Sequence, residues 1–331
     1  MSTGCLFRIS RQPSQTPFVD QSASCCCELS LHQLDDSNMP GENLHELRTK
    51  IESSGAVLFT CTFYQSQSDL RFQQCLDTIK EAERCGYPLV IVDGSPDETV
   101  HKTLCEYSPA CVVYREVKGS GGKGAQLRAA ADIASKLPGV SASTLLCWQE
   151  AEKTDMVQLW SAVQERLEAT DDVVVPYRNP DDFQSSYPIE QFHSETYGNF
   201  YLDSVMNDAL QVDQSIKPPR LSDIGLRQVV EDSKHRIPSI DWHFGPFAFR
   251  ARHIDLWISY RRGDSYDAQL VPVVHAMRKG LLVCSILVSF KLDPQMKFQE
   301  EANIQFIEKR LNQLNDLDPK VKKAWTDGFY C

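Results

Sequence analysis

The 331 residues carry 34 Lys and Arg against 45 Asp and Glu, a net charge of −11. That length gives one large or two small domains an ample core and excludes a small disulfide-stapled module. The acidic balance argues against a polyanion-binding surface, so nucleic acid is not an expected partner, and 42% hydrophobic with 24% charged residues excludes general disorder.

Residues 1–46 are rich in Ser, Gln, Asp and Cys, with Pro13, Pro17 and Pro40 among them, a composition that predicts a flexible leader. Its triplet Cys25-Cys26-Cys27 has no second pair or histidines at metal-ligand spacing, which argues against zinc. It fits either an unstructured tail or an S-acylated one. The chain begins Met1-Ser2-Thr3-Gly4 with no basic-then-apolar run, so no secretory signal is expected. The longest apolar stretch, Leu281 to Phe290, falls short of the roughly 20 residues that cross a bilayer. Cys61, Cys75, Cys147 and Cys284 sit in apolar periodic segments, where a thiol acts as a small hydrophobe. The cytosol is the expected compartment.

From Ala56 the texture changes. Ala56 to Tyr64 (AVLFTCTFY) reads as a buried strand. Phe72, Cys75, Leu76, Ile79 and Ala82 follow at helical spacing, closed by Gly86. Pro88 to Val92 is a second strand, Glu98 to Tyr107 a helix, Cys111 to Tyr114 a strand, Ala125 to Lys136 an Ala-rich helix and Thr144 to Trp148 a fourth strand. Met156, Trp160, Val163 and Leu167 mark a further helix before a fifth strand, Val173 to Tyr177. Residues 179–246, with Tyr187-Pro188, Pro218-Pro219, Trp242 and Phe244, predict helices and loops. A short strand (Phe247 to Phe249), a helix (Ala268 to Lys279, ended by Gly280), a strand (Leu281 to Ser289) and a helical 3-4-3 spacing at Ile304, Ile307, Leu311 and Leu314 complete the order. Continuous apolar strands separated by amphipathic helices imply an α/β fold, a mostly parallel sheet with helices on both faces. Ligands bind beyond the carboxyl ends of such strands.

Three strand ends carry chemistry. The second ends Val92-Asp93-Gly94-Ser95-Pro96-Asp97, where Asp93 can accept from a ribose hydroxyl or a base N–H; an ordinary turn with Ser95 or Asp97 capping the next helix fits as well. After the third comes Gly119-Ser120-Gly121-Gly122-Lys123-Gly124, able to bring backbone N–H groups, a helix N-terminus and an ammonium to a phosphate. Its letters match the dinucleotide fingerprint, but that belongs to the first strand-helix turn, and Val117 stands where a Walker loop needs its first glycine. The fourth strand ends Cys147-Trp148-Gln149-Glu150-Ala151-Glu152-Lys153. Two carboxylates two residues apart on an extended strand end point to one side and can share a hard cation with a diphosphate; solvated residues ahead of a helix are the alternative.

In order, VDGSPDET, KGSGGKGAQLRAAADIA and LLCWQEAEK resemble the strand-end motifs of GT-A glycosyltransferases, family-2-like members in particular, over residues 56–180. Gly263-Asp264-Ser265-Tyr266-Asp267 before a helix, then Gly280 and a strand, is similar to a later acidic segment of that family. The spacing is similar to that of its mannosylglycerate synthase and glucosyl-phosphoglycerate synthase branches. The resemblance implies a nucleotide-sugar-binding half (47–180) and an acceptor-side half (181–331) of one domain. The implied reaction moves a sugar from a nucleotide-diphosphate donor to a small-molecule hydroxyl. Thr60, Asp93 and Ser95 would border the nucleoside, with Gly121, Gly122 and Lys123 at the diphosphate. Glu150 and Glu152 would stand where the family's metal-binding aspartates are, holding Mg²⁺ or Mn²⁺. Asp264 and Asp267 would serve as general base or as a clamp on the acceptor, although Asp267 also suits a helix N-cap. The chain departs from the pattern in its glutamates and in lacking a late histidine ligand, for which Asp293 is the substitute, or else a turn residue before Pro294. Two rival readings are a non-catalytic fold that binds a nucleotide or a protein, and a dinucleotide-dependent oxidoreductase.

Overall fold

A computed structural model describes residues 41–107, 111–116, 122–222, 239–301 and 303–327. Cys25 to Cys27, Gly119 to Gly121 and most of the proposed leader lie outside them. The first helix, α1 (Gly41–Ser54), takes in residues 41–46 that composition assigned to the leader. It is held by Leu47 and Ile51, one helical turn apart and both buried.

Eight strands form one sheet: β1 (Ala56–Thr62), β2 (Leu89–Asp93), β3 (Cys111–Arg115), β4 (Leu145–Trp148), β5 (Val173–Arg178), β6 (Arg220–Leu221), β7 (Phe247–Arg250) and β8 (Val283–Val288). Their order is β3-β2-β1-β4-β7-β5-β8-β6. Every pairing is parallel except those of β7, which runs antiparallel between β4 and β5. The α/β class and the mostly parallel sheet are therefore as the alternation implied. The two-residue β6 and the central antiparallel strand carry no periodic signature of their own.

Helices α2 (Leu70–Arg84), α3 (Glu98–Tyr107) and α5 (Thr154–Arg166) cover one face, where Phe72, Ile79, Leu104, Met156 and Trp160 pack on Leu58, Ile91, Cys147 and Ile286. On the other face lies α4 (Lys123–Ser135), with Leu127, Ala130, Ala131 and Ala134 buried against β1, β2 and β4. Alanines let a helix sit close to a sheet, and β7 fills the space beside it with aromatics. Phe247 and Phe249 meet Phe59 and Trp148, and Phe249 stacks on Trp257 at 3.8 Å between ring centroids. Burying rings of this size supplies about 1.5–3 kcal/mol each, which holds β7 between β4 and β5.

The remaining helices are α6 (Pro180–Ser186), α7 (Ile189–Val212), α8 (Asp255–Ile258), α9 (Asp267–Arg278), α10 (Pro294–Glu300) and α11 (Ile304–Asp327). The 24-residue α7 lies in the stretch given to helices and loops, and it packs along α11. Together α7, α10 and α11 stand over the carboxyl ends of β1, β4, β5 and β8. No helix among the described residues is long and apolar enough to cross a membrane.

Candidate active site

Beyond those strand ends lies a cleft of about 430 Å³. Its floor comes from Tyr64 after β1, the loop 148–153 after β4, and Arg178 at the end of β5, with Phe63 exposed at the rim. Lys123 and Gln126 of α4 form one side, while Gln191 and Glu195 of α7 and Lys309 and Arg310 of α11 form the other. Six Lys or Arg side chains line it against five Glu, so a chain of net charge −11 has a cleft that is locally cationic.

The loop after β4 is held rigidly. Gln149 Oε1 accepts from the buried Trp160 indole at 2.8 Å, and Lys153 N donates to Glu150 O at 3.0 Å. That turn aims Glu150 between two ammonium groups, with Lys123 Nζ 3.3 Å from Oε1 and Lys153 Nζ 3.0 Å from Oε2. Burial pushes the Glu150 carboxyl up, but Lys153 and Lys123 outweigh it and hold it down at about 2. Burial likewise pulls both lysines down, and Glu150 more than reverses this, so both stay charged. Aromatic faces fix their positions: Lys123 Nζ lies 4.3 Å from the Tyr266 centroid and Lys153 Nζ 5.1 Å from that of Phe244. With its amide oriented to satisfy both donors, Gln269 accepts from Lys123 Nζ at 3.3 Å and from Trp148 Nε1 at 3.2 Å.

Arg178 anchors the far end. Fully buried, it donates to both Asp241 oxygens at 2.7 and 2.8 Å and to Glu195 Oε2 at 2.8 Å, with its guanidinium 3.6 Å from the Phe183 centroid. Glu195 Oε1 is also paired with Arg310 of α11 at 3.1 Å. A second tie to the C-terminal segment runs from Arg71 of α2 to Glu300 of α10 at 2.7 Å.

Gly122, Lys123, Glu150 and Glu152 line the cleft as the motifs implied; Thr60, Asp93, Ser95, Asp264 and Asp267 do not. Thr60 is buried two residues short of the end of β1. Both Asp93 oxygens are taken by the protein: Oδ1 accepts from Thr62, from Ser95 N and from Ser95 Oγ, and Oδ2 from Arg115 at 2.8 Å with His101 Nδ1 at 3.1 Å. Ser95 in turn accepts from Tyr64 N. These two residues tie the ends of β1, β2 and β3 together and leave no atom for a ribose. Asp264 is exposed, and it is its carbonyl that is used, accepting from Gly124 N at 3.2 Å. Gly124 packs so closely there that a Cβ would collide with the Gly263 carbonyl, so this glycine serves packing rather than phosphate approach. Asp267, the first residue of α9, is buried beneath Tyr260 (3.1 Å) and Lys320 (3.6 Å). Asp293 caps α10, accepting from Gln295 N at 2.7 Å.

The expected Mg²⁺ or Mn²⁺ does not fit Glu150 and Glu152. Glu150 already has an ammonium on each oxygen, and Gly245 (φ +100°) closes its third side, where an added Cβ would stand 2.7 Å from Oε2. Glu152 pairs with Arg71 at 3.7 Å. Mg²⁺ demands near-octahedral oxygen ligands at about 2.0–2.1 Å, and among the described residues no three His, Cys, Asp or Glu gather to supply them. Cys61, also on the cleft, is pushed up to about 12 by burial and is a neutral thiol.

The sequence reading missed Lys153, Arg71, Arg178 and Arg310. Lys153 closes the quoted string LLCWQEAEK and Arg178 directly follows a predicted strand, so position alone could have flagged both. Nothing local marks Arg71 or Arg310, which arrive from two distant helices.

No protein-family model matches the sequence, and no curated protein matches it. In three dimensions the chain is similar to glucosyl-3-phosphoglycerate synthase of M. tuberculosis, at 12% identity over 85% of this chain and 82% of that one, with a TM-score of 0.43. A structure of that enzyme with Mn²⁺, UDP-glucose and phosphoglyceric acid gives 12%, 85% of each chain and 0.41. Mannosyl-3-phosphoglycerate synthase of Rubrobacter xylanophilus gives 12%, 82% and 79%, and 0.40. At these identities and TM-scores no activity and no residue role is carried across.

Proposed function

We propose that this chain is a glycosyltransferase that moves a sugar from a nucleotide-diphosphate donor to the hydroxyl of a small-molecule acceptor. The observation that carries the reading is the pair of charged, aromatic-backed lysines, Lys123 and Lys153, facing a cleft beyond the carboxyl ends of parallel strands. Such a cleft falls within the roughly 300–1,000 Å³ usual for small-molecule sites. Phe63, 60% exposed at its rim, offers a face for a nucleobase. As the bond from the anomeric carbon to the diphosphate oxygen breaks, charge grows on the leaving diphosphate, and two fixed ammonium groups stabilise it most at that moment. The acceptor hydroxyl oxygen forms the new bond to that carbon, and its proton passes to the departing diphosphate oxygen. Seven free thiols among the described residues suit a reducing compartment such as the cytosol.

Titration calorimetry with UDP- and GDP-sugars, followed by an assay of donor hydrolysis, tests the proposal. Saturable binding and slow release of free sugar are expected; no binding by any nucleotide sugar removes the reading. A second reading, a non-catalytic nucleotide-binding fold, draws on the cleft carboxylates. Glu150, Glu152, Glu195 and Glu300 each lie within 4 Å of a cationic group, so all four are engaged in ion pairs within the protein. Tight binding with no turnover in the presence of cell-extract acceptors would select it.

A further inference from the structure

The misfit between Glu150 and a divalent cation has a functional counterpart. We infer that the donor diphosphate is held here without metal, by the ammonium groups of Lys123 and Lys153, with Glu150 acting as the positioning residue that keeps the two together. The inference rests on the donor reading above and deepens it.

Both ammonium groups contact the same carboxylate, one on each oxygen, so the cluster of three carries a net positive charge where the floor of the cleft meets its α4 side. Two lysines that close would repel and splay if nothing lay between them. Glu150 prevents that and is itself unable to swing toward a ligand, because Gly245 and the Gln149–Trp160 hydrogen bond fix the loop behind it. Tyr266 and Trp148 under Lys123, and Phe244 and Phe290 under Lys153, restrict each stem to a narrow range of positions. A preorganised pair of cations does for a diphosphate what a bridging metal does: it neutralises adjacent phosphoryl oxygens without a reorganisation cost at the moment of binding. A metal placed at Glu150 would first have to displace an ammonium and then sit beside it.

The test is calorimetry with UDP and with GDP on the full chain, in a chelating buffer and in excess MnCl₂. The expected result is binding in chelator, with Mn²⁺ leaving the affinity the same or weaker because it shields the diphosphate charge. Lys153→Gln should weaken that binding by about tenfold or more in either buffer, as loss of a hydrogen bond to a charged group does. Glu150→Gln removes the charge that holds the two ammonium groups together: it should melt at lower temperature when free and bind UDP more weakly than the parent in chelator and in MnCl₂ alike. A nucleotide that binds only with Mn²⁺, or a folded Glu150→Gln variant that binds UDP in chelator as tightly as the parent, overturns the metal-free arrangement while leaving the donor reading intact. Failure of both nucleotides to bind in either buffer overturns the donor reading and this inference with it.

Discussion

Asp241→Ala tests the knot at the base of the cleft. The substitution removes an acceptor of four hydrogen bonds, from Arg178 N, Nε and Nη2 and from Asn199 Nδ2. It strands a guanidinium that is 1% exposed. Breaking one partner of a buried ion pair costs about 3–5 kcal/mol. Glu195 keeps its 2.8 Å bond to Arg178 Nη1, which places the expected loss near the lower end, about 3 kcal/mol. At roughly 2–4 °C per kcal/mol for a domain of this size, Tm should fall by about 6–12 °C. Burial pushes the Asp241 carboxyl up and Arg178 more than offsets this, leaving it below the usual range. Its contribution is therefore complete above the ordinary Asp value of about 3.9 and disappears as pH falls through the lower folded value. The gap between parent and variant, followed by urea unfolding, should hold steady from about pH 5 to 9 and shrink below about pH 4. The double variant Arg178→Met/Asp241→Leu, which removes both charges, should recover at least half of the loss. A single variant within about 1 kcal/mol of the parent, or a double variant worse than the single, would refute the account.

Asp93→Asn should lower stability by about 1.5–3 kcal/mol, since the buried carboxylate that ties Arg115 to Thr62 and Ser95 is lost and Arg115 keeps only the exposed Glu98, while nucleotide affinity stays within about threefold. A tenfold loss of affinity in a well-folded variant would return Asp93 to the nucleoside site. Asp264→Asn, at an exposed side chain, should change stability by less than about 0.5 kcal/mol and leave donor hydrolysis unchanged; loss of turnover at unchanged affinity would restore it as a base. Arg71→Ala removes the tie between α2 and α10, and limited proteolysis should then cut within residues 290–303 faster than in the parent. Equal cleavage rates would show that Glu300 alone does not hold that segment.

Sequence alone set the order of seven of the eight strands and of α2 to α5, α9 and α11, because most buried strands are apolar runs and these helices repeat their apolar residues at 3–4 spacing; Phe72, Cys75, Ile79 and Ala82 are a clear case, while α1, β6, α6, α8 and α10 were not marked. It also put Lys123 and Glu150 at strand ends, where parallel-sheet topology gathers ligands. Burial and charge partners lay beyond its reach. Asp93 looks identical in sequence whether its carboxylate faces a ribose or Arg115, and β7 joins β4 to β5 through aromatic contacts with Phe59, Trp148 and Trp257 that no local period encodes. The pairing of Lys153 with Glu150 depends on a turn of the loop, and Arg310 reaches Glu195 only because α11 lies along α7. Local pattern fixes which residues form an element; which charges meet is decided by how those elements pack, since Coulomb and hydrogen-bond energies depend on distances of a few ångströms between residues far apart in the chain.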